Sequence, residues 1–348
     1  MAKISVLIID DSALIRNLFT ELLSSDPDIN VIGTAIDPYD AREKIKQLNP
    51  DVITLDIEMP KMDGIAFLEK VMKLRPMPVV MVSTLTQKGA QETIKALELG
   101  AVEYVSKPTS SQTRQTISVL KDELISKVKT AAKSNIRGNS NSSATKKNNN
   151  LIAIPKHKLT KEIIAIGSST GGVEALKEVL TNLPAGLPPI VIVQHMPVNF
   201  TKSFADRLNT ICKMSTYEAH DKQILEHGCV YIAKGDKHLK IKKSGSNYQC
   251  VAAGEEKVSG HCPSVDVLFE SVAEIFSDRS LGVILTGMGK DGARGMLKMR
   301  KAGAYNIGQD QQSCVVYGMP KEAFENGAVN EQVSLQNIAS KIIKYCTE

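Results

Sequence analysis

At 348 residues the chain is long enough for two domains, and each half can bury a core of its own. Its 42% hydrophobic and 23% charged residues are ordinary for a globular protein, which excludes fibrous and wholly disordered classes. The net charge of +5 comes from the middle of the chain, where residues 109–158 carry 10 Lys and Arg against 2 Asp and Glu, so neither half is a basic nucleic-acid-binding domain.

From the start, short apolar runs alternate with amphipathic stretches. Strands are predicted at 4–9, 31–35, 52–55, 79–82 and 102–104, and helices at 14–23, 41–48, 65–74 and 92–99. This βαβαβ order predicts an α/β domain whose parallel sheet is covered on both faces. In such sheets functional groups gather at the carboxyl ends of the strands. There the sequence places Asp10 and Asp11, then Asp56, then Ser83, then Lys107. Three carboxylates at one edge repel one another unless a cation sits among them, and Mg²⁺, an oxygen-seeking ion that keeps several waters, suits them. One such aspartate alone could be only a helix cap, as Asp11 could be for the helix that follows.

With Lys107-Pro108 and the run Asp56-x-x-Met-Pro-x-Met-Asp-Gly, residues 3–125 resemble the receiver domain of two-component response regulators, a flavodoxin-like fold. The resemblance implies that Asp56 accepts a phosphoryl group from a histidine kinase. Asp10, Asp11, Asp56 and the backbone carbonyl of Glu58 would hold Mg²⁺. Ser83 and Lys107 would contact the phosphoryl oxygens, and Tyr104 would be the aromatic switch.

Ile117, Leu120, Leu124, Ile125 and Val128 have helical spacing and lead into a run of Asn, Ser and Lys from 133 to 150 that cannot bury enough surface to offset its chain entropy. The expected organisation is therefore a receiver over 1–125, a flexible polar linker over 126–158 and an output domain over 159–348. The linker lacks aromatics for base stacking, so it is not read as a nucleic-acid site.

In the output domain strands are predicted at 163–166, 190–193, 230–232 and 283–285, and helices at 173–180, 200–208, 265–276 and 296–302, a second α/β domain with a mostly parallel sheet. Its first strand ends in Gly167-Ser168-Ser169-Thr170-Gly171-Gly172. Glycines around a serine at a strand-to-helix turn permit the bend that exposes a nucleophile. Taken alone, the turn fits a phosphate site equally well. The next strand ends at His195, and the strand at 283–285 runs into a glycine-rich turn with Asp291, so nucleophile, general base and orienting acid converge on one edge. Among the other histidines, His157 lies beside the linker, His220, His227 and His238 fall in polar stretches, and His261 is expected to line the cleft.

The chain order Ser169, His195, Asp291 differs from the Ser, Asp, His order of α/β-hydrolases. The segments Ile166-Gly-Ser-Ser-Thr-Gly-Gly, Gln194-His-Met-Pro, Gly235-Asp-Lys-His, Pro263-Ser-Val-Asp-Val-Leu-Phe and Leu285-Thr-Gly-Met-Gly-x-Asp-Gly resemble the catalytic domain of chemotaxis protein-glutamate methylesterases, the CheB family. The resemblance implies a Rossmann-like doubly wound domain, the triad Ser169, His195 and Asp291, and no cofactor in the catalytic domain. The oxyanion would form beside Thr170 and Met288. It implies a serine hydrolase that demethylates glutamate methyl esters and deamidates glutamines on chemotaxis receptors, restrained by a docked receiver until Asp56 is phosphorylated. Its partners would be a histidine kinase and methyl-accepting receptors, with no nucleic acid. One departure stands out: Cys262 occupies the position between His261 and Pro263 where the family commonly has arginine.

The six cysteines, all in the second half and irregularly spaced, form neither a disulfide framework nor a zinc motif. No apolar run approaches the ~20 residues of a membrane span, and the start passes directly into a strand and two acids without a secretory apolar region, so a cytoplasmic location without membrane insertion is expected.

Overall fold

Uninterrupted apolar runs, rather than alternating ones, mark the central strands of both halves, and these strands are buried on both faces, as parallel sheets between helical layers require. The structure is a computed structural model and describes residues 2–84, 86–108, 114–136 and 159–347. It divides into two units, Met1–Thr145 and Lys146–Glu348.

The first unit contains β1 (Ile4–Ile9), α1 (Ala13–Ser24), β2 (Ile29–Ala35), α2 (Pro38–Leu48), β3 (Val52–Asp56), α3 (Gly64–Leu74), β4 (Val79–Ser83), α4 (Gln87–Glu98), β5 (Glu103–Ser106) and α5 (Arg114–Ala132). Its sheet has the order β2-β1-β3-β4-β5, all parallel. Each of the first four helices starts at a side chain that satisfies the open N–H groups of the first turn: Ser12, Asp37, Asp63 and Thr86. The start of the expected linker needs correction. Leu120, Leu124 and Val128 are buried, and packing of that face carries α5 to Ala132, so residues 126–132 are helical. The linker residues 137–158, with His157, lie outside the described residues.

The second unit opens with β6 (Ile163–Ser168), α6 (Gly172–Thr181), β7 (Ile190–Gln194), α7 (Val198–Ile211), β8 (Ser215–Glu218) and β9 (Cys229–Ile232). A hairpin of β10 (His238–Ser244) and β11 (Asn247–Ala253) follows, and then α8 (Val265–Phe276), β12 (Ser280–Ile284), α9 (Ala293–Lys301), β13 (Tyr305–Gln309), α10 (Met319–Glu325), β14 (Glu331–Val333) and α11 (Leu335–Thr347). Seven parallel strands run in the order β14-β13-β12-β6-β7-β9-β8, and β10-β11 form a separate antiparallel pair.

β8, β10, β11, β13 and β14 were not expected from the sequence. The last two are short edge-side strands and the hairpin alternates polar with buried residues, so none presents a long apolar run. His238, expected in a polar stretch, is buried at the head of β10, where its two ring nitrogens meet the N–H of Ser264 and the carbonyl of Glu256 at 3.1 and 2.7 Å. Its polar neighbours Gly235, Asp236 and Lys237 concealed that burial. The sheet order places β12, β6 and β7 side by side, so their carboxyl ends open onto one common edge. No described helix is long and apolar enough to cross a membrane.

Candidate active site

The β6–α6 turn carries two adjacent serines, and their surroundings differ. Ser168 is fully buried and its hydroxyl donates to Gln194 Oε1 at 2.7 Å. Ser169 is partly exposed, which makes its hydroxyl the reachable one. Its backbone is fixed on both sides: its N–H donates to the Thr286 carbonyl at 3.0 Å, and its carbonyl accepts from Gly172 N–H at 2.7 Å and from Gln194 Nε2 at 3.0 Å. Gln194 Nε2 also reaches the His195 carbonyl at 3.2 Å, so one buried amide joins the ends of β6 and β7. Two glycines make this crowding feasible. A Cβ on Gly172 would lie 2.0 Å from Gln194 Oε1, and one on Gly287 would lie 2.8 Å from Ser169 Cβ.

At the end of β7, His195 Nε2 lies 2.9 Å from Asp291 Oδ2. Asp291 is buried and collects three further donors. Its Oδ1 accepts from Ser264 Oγ at 2.8 Å and from Asp266 N–H at 3.0 Å, and its Oδ2 accepts from Val265 N–H at 2.7 Å. These are the first residues of α8, so a side chain from another segment caps that helix. Burial by itself would raise the pKa of Asp291. The hydrogen bond and charge of His195, with the N–H groups of Asp266 and Val265, outweigh burial and hold it below the usual carboxylate value. An ionised Asp291 accepts the proton of Nε2, which leaves Nδ1 with the lone pair of a base. Nδ1 is buried without a hydrogen-bond partner, so Ser169 must close a gap before it transfers its proton.

Asp266 returns the capping. Its Oδ1 accepts from Gly292 N–H at 3.1 Å and Gly295 N–H at 2.7 Å, at the start of α9 just after Asp291, while Oδ2 accepts from Ser259 Oγ at 2.8 Å. The two helix starts thus exchange aspartates, and that exchange fixes the acid of the site. Ser264, Asp266 and Gln194 had no role assigned from the sequence. The signal available for the first two was the helix-start pattern Ser264-Val265-Asp266, which gives no hint of a remote partner. His261 stacks on His195 with ring centroids 3.7 Å apart. His220 and His227 are exposed.

Thr170 is buried, and its carbonyl accepts from Thr286 Oγ1 at 2.9 Å; Met288 is 48% exposed. The peptide N–H groups of Ser169 and Gly287 are committed to Thr286 and Val316 carbonyls. Among the cysteines, burial pushes the thiols of Cys250 and Cys346 up to about 12 and that of Cys212 up to about 11, which makes them poor nucleophiles.

In the first unit the predicted groups also meet. Asp10 follows β1, Asp56 ends β3, Ser83 ends β4 and Lys107 follows β5. One oxygen from each of Asp10, Asp11 and Asp56 lies within 4.8 Å of the others. Lys107 Nζ is 2.6 Å from Asp56 Oδ2 and 3.4 Å from Asp10 Oδ2. Burial raises Asp56 to about 6, against the hydrogen bond from Lys107 that lowers it, and Asp10 is raised for the same chief reason. Asp10 Oδ2 is buried without a hydrogen bond, and the one Lys107 ammonium facing three carboxylates leaves this oxygen set short of positive charge, so it fits a hard divalent cation. Ser83 Oγ donates to carbonyls of Thr84 and Gly89, both at 3.2 Å. Tyr104 is buried in β5, with Lys127 Nζ 4.7 Å above its ring.

Comparison with known proteins agrees with both halves. Residues 164–342 match the CheB methylesterase family and residues 6–118 the response regulator receiver domain. A protein-glutamate methylesterase/protein-glutamine glutaminase of Nitrosomonas europaea is 53% identical over 99% of this chain and 96% of its own length. One from Caulobacter vibrioides is also 53% identical, over 99% of this chain and 98% of its own. The crystal structure of the Thermotoga maritima CheB methylesterase catalytic domain superposes with a TM-score of 0.52 at 40% identity, covering 53% of this chain and 98% of that one.

Proposed function

Since the chain belongs to the protein-glutamate methylesterase/protein-glutamine glutaminase family, with a receiver ahead of the catalytic domain, we propose that Ser169, His195 and Asp291 are its nucleophile, base and orienting acid. The enzyme demethylates glutamate methyl esters and deamidates glutamines on chemotaxis receptors, and phosphorylation of its receiver regulates it. The observation that carries the residue assignment is the His195–Asp291 hydrogen bond of 2.9 Å beside the Ser169 turn, at the ends of three adjacent strands.

The steps follow from these atoms. Ser169 Oγ attacks the side-chain carbonyl of the receptor glutamyl ester while His195 Nδ1 takes its proton, and Asp291 steadies the imidazolium. The oxyanion forms beside Thr170 and Met288, at the positive end of α6. His195 returns the proton to the departing methoxide, and methanol leaves. Water, deprotonated by the same nitrogen, then releases glutamate from the acyl-enzyme; a glutamine reacts alike, with ammonia leaving. In the receiver, Asp56 takes the phosphoryl group from a chemotaxis histidine kinase, Ser83 and Lys107 contact its oxygens, and Tyr104 reports the change. Mg²⁺, held by Asp10, Asp11, Asp56 and the Glu58 carbonyl, would supply the positive charge for that transfer.

Methanol release from methylated receptor membranes tests the assignment. Ser169→Ala lowers the rate by at least roughly 10³-fold, because only binding and oxyanion stabilisation remain. A Ser169→Ala enzyme near the wild-type rate overturns the triad.

A further inference from the structure

The segment leading into α8 presses a second imidazole against the base. Val258 and His261 exchange backbone hydrogen bonds, both at 3.0 Å, and the two residues between them, Ser259 and Gly260, have φ of 53° and 85°. This is a two-residue turn of the kind that requires positive φ at both central positions, and it fixes the direction in which His261 leaves the backbone. Ser259 Oγ ties the turn to Asp266 Oδ2 at 2.8 Å, and Asp266 caps the helix that follows Asp291. The segment is therefore braced on the elements that hold the catalytic acid.

From this turn the His261 ring lies parallel to that of His195, with centroids 3.7 Å apart and planes within 8°. The contact supplies a constraint that the carboxylate cannot. A single hydrogen bond from Nε2 to Asp291 fixes one edge of the ring and leaves it free to tilt about that bond. Tilting swings Nδ1, the atom that must meet the Ser169 proton, out of line. A flat surface against one face removes the tilt. We propose that His261 is a positioning residue for ester cleavage, a planar wall that keeps His195 Nδ1 aimed at the Ser169 hydroxyl. The proposal rests on the assignment of Ser169, His195 and Asp291 as the triad.

The protonation of the wall agrees with this role. Burial, with the charge of the neighbouring His195, pushes His261 down to about 4. Near neutral pH it therefore stays uncharged while His195 carries the transferred proton, and the stack does not hold two like charges.

The test uses the full-length chain, with kcat and KM for methanol release from methylated receptor membranes. His261→Leu fills similar space without a flat face. It should lower kcat about tenfold or more and leave KM within about twofold, since misaiming the base costs rate rather than substrate binding. His261→Phe restores the face without ring nitrogens and should keep kcat within about threefold of wild type. Wild-type kcat in His261→Leu overturns the proposal, and so does a His261→Phe enzyme as slow as His261→Leu, which would make the nitrogens the working part. A loss falling mainly on KM overturns it too, in favour of a substrate-binding wall. Should His261→Leu fail to fold, Ser259→Ala, which frees the turn from Asp266, should lower kcat severalfold at constant KM, and an unchanged kcat refutes the idea. A Ser169→Ala control separates the two readings: if it stays active the triad falls, and if it is dead while His261→Leu runs at full speed only the present proposal falls.

Discussion

Replacing Asp291 by asparagine tests the site most severely, because the carboxylate accepts four hydrogen bonds and donates none. Its Oδ2 serves His195 and Val265, and its Oδ1 serves Ser264 and Asp266. An asparagine must put its NH₂ at one of these positions. At the Oδ2 position the NH₂ opposes the Val265 N–H and obliges His195 Nε2 to accept, which moves the ring proton to Nδ1 and removes the base. At the Oδ1 position it opposes the Asp266 N–H, while the Ser264 hydroxyl can rotate to accept. Either orientation leaves a buried N–H without a partner, at a cost of about 1–3 kcal/mol. For a domain of this size that lowers Tm by roughly 2–12 °C. In the first orientation the wrong tautomer lowers kcat by about 10⁴-fold, equivalent to ~5 kcal/mol of barrier, and in the second the loss of the carboxylate's charge beside the imidazolium still slows the reaction more than about tenfold. The assay pairs initial rates of methanol release with calorimetry of the same protein. An Asp291→Asn enzyme within tenfold of wild type, at unchanged Tm, would refute this account of the carboxylate.

Gly287→Ala should lower kcat at least tenfold although it replaces no triad residue, since its Cβ would fall 2.8 Å from Ser169 Cβ and 2.4 Å from Met319 Sδ and so displace the nucleophile; steady-state kinetics measure it. Because the folded-state pKa of His261 lies near 4 and its ordinary value is 6.5, the unfolded chain binds the proton first on acidification. The stability contributed by neutral His261 is therefore complete above pH 6.5 and is lost as pH falls towards 4, and denaturant titrations across that window should show a shallower pH slope for His261→Phe. In the receiver, Asp56→Asn should abolish the rate increase caused by a small phosphodonor with Mg²⁺ and leave the basal rate intact, as rates with and without the donor would show; Lys107, which sits 2.6 Å from Asp56, has no phosphoryl group to follow in that variant.

The sequence by itself determined the parallel α/β character of both halves, the central strands of each sheet and the residues at their carboxyl edges, but not the strands β8, β13 and β14 of the second sheet. Parallel strands buried on two faces are written as continuous apolar runs, and a polar residue that ends such a run is at the edge whatever the rest of the fold does. Asp10, Asp56, Ser83 and Lys107, with Ser169 and His195, were legible for that reason. The caps Ser12, Asp37, Asp63 and Thr86 are also local, each bonding to a backbone N–H two or three residues away, but the only cap expected from the sequence was Asp11, one residue before the actual cap of α1. What only the tertiary structure decided is how the catalytic acid is held and aimed. The starts of α8 and α9 receive their caps from each other, Asp291 across 25 or 26 residues and Asp266 across 26 and 29. His261 reaches His195 through a turn whose own residues say nothing of its target. A hydrogen bond or a ring contact at such separation depends on where the sheet order brings two loops together, and no local pattern records that.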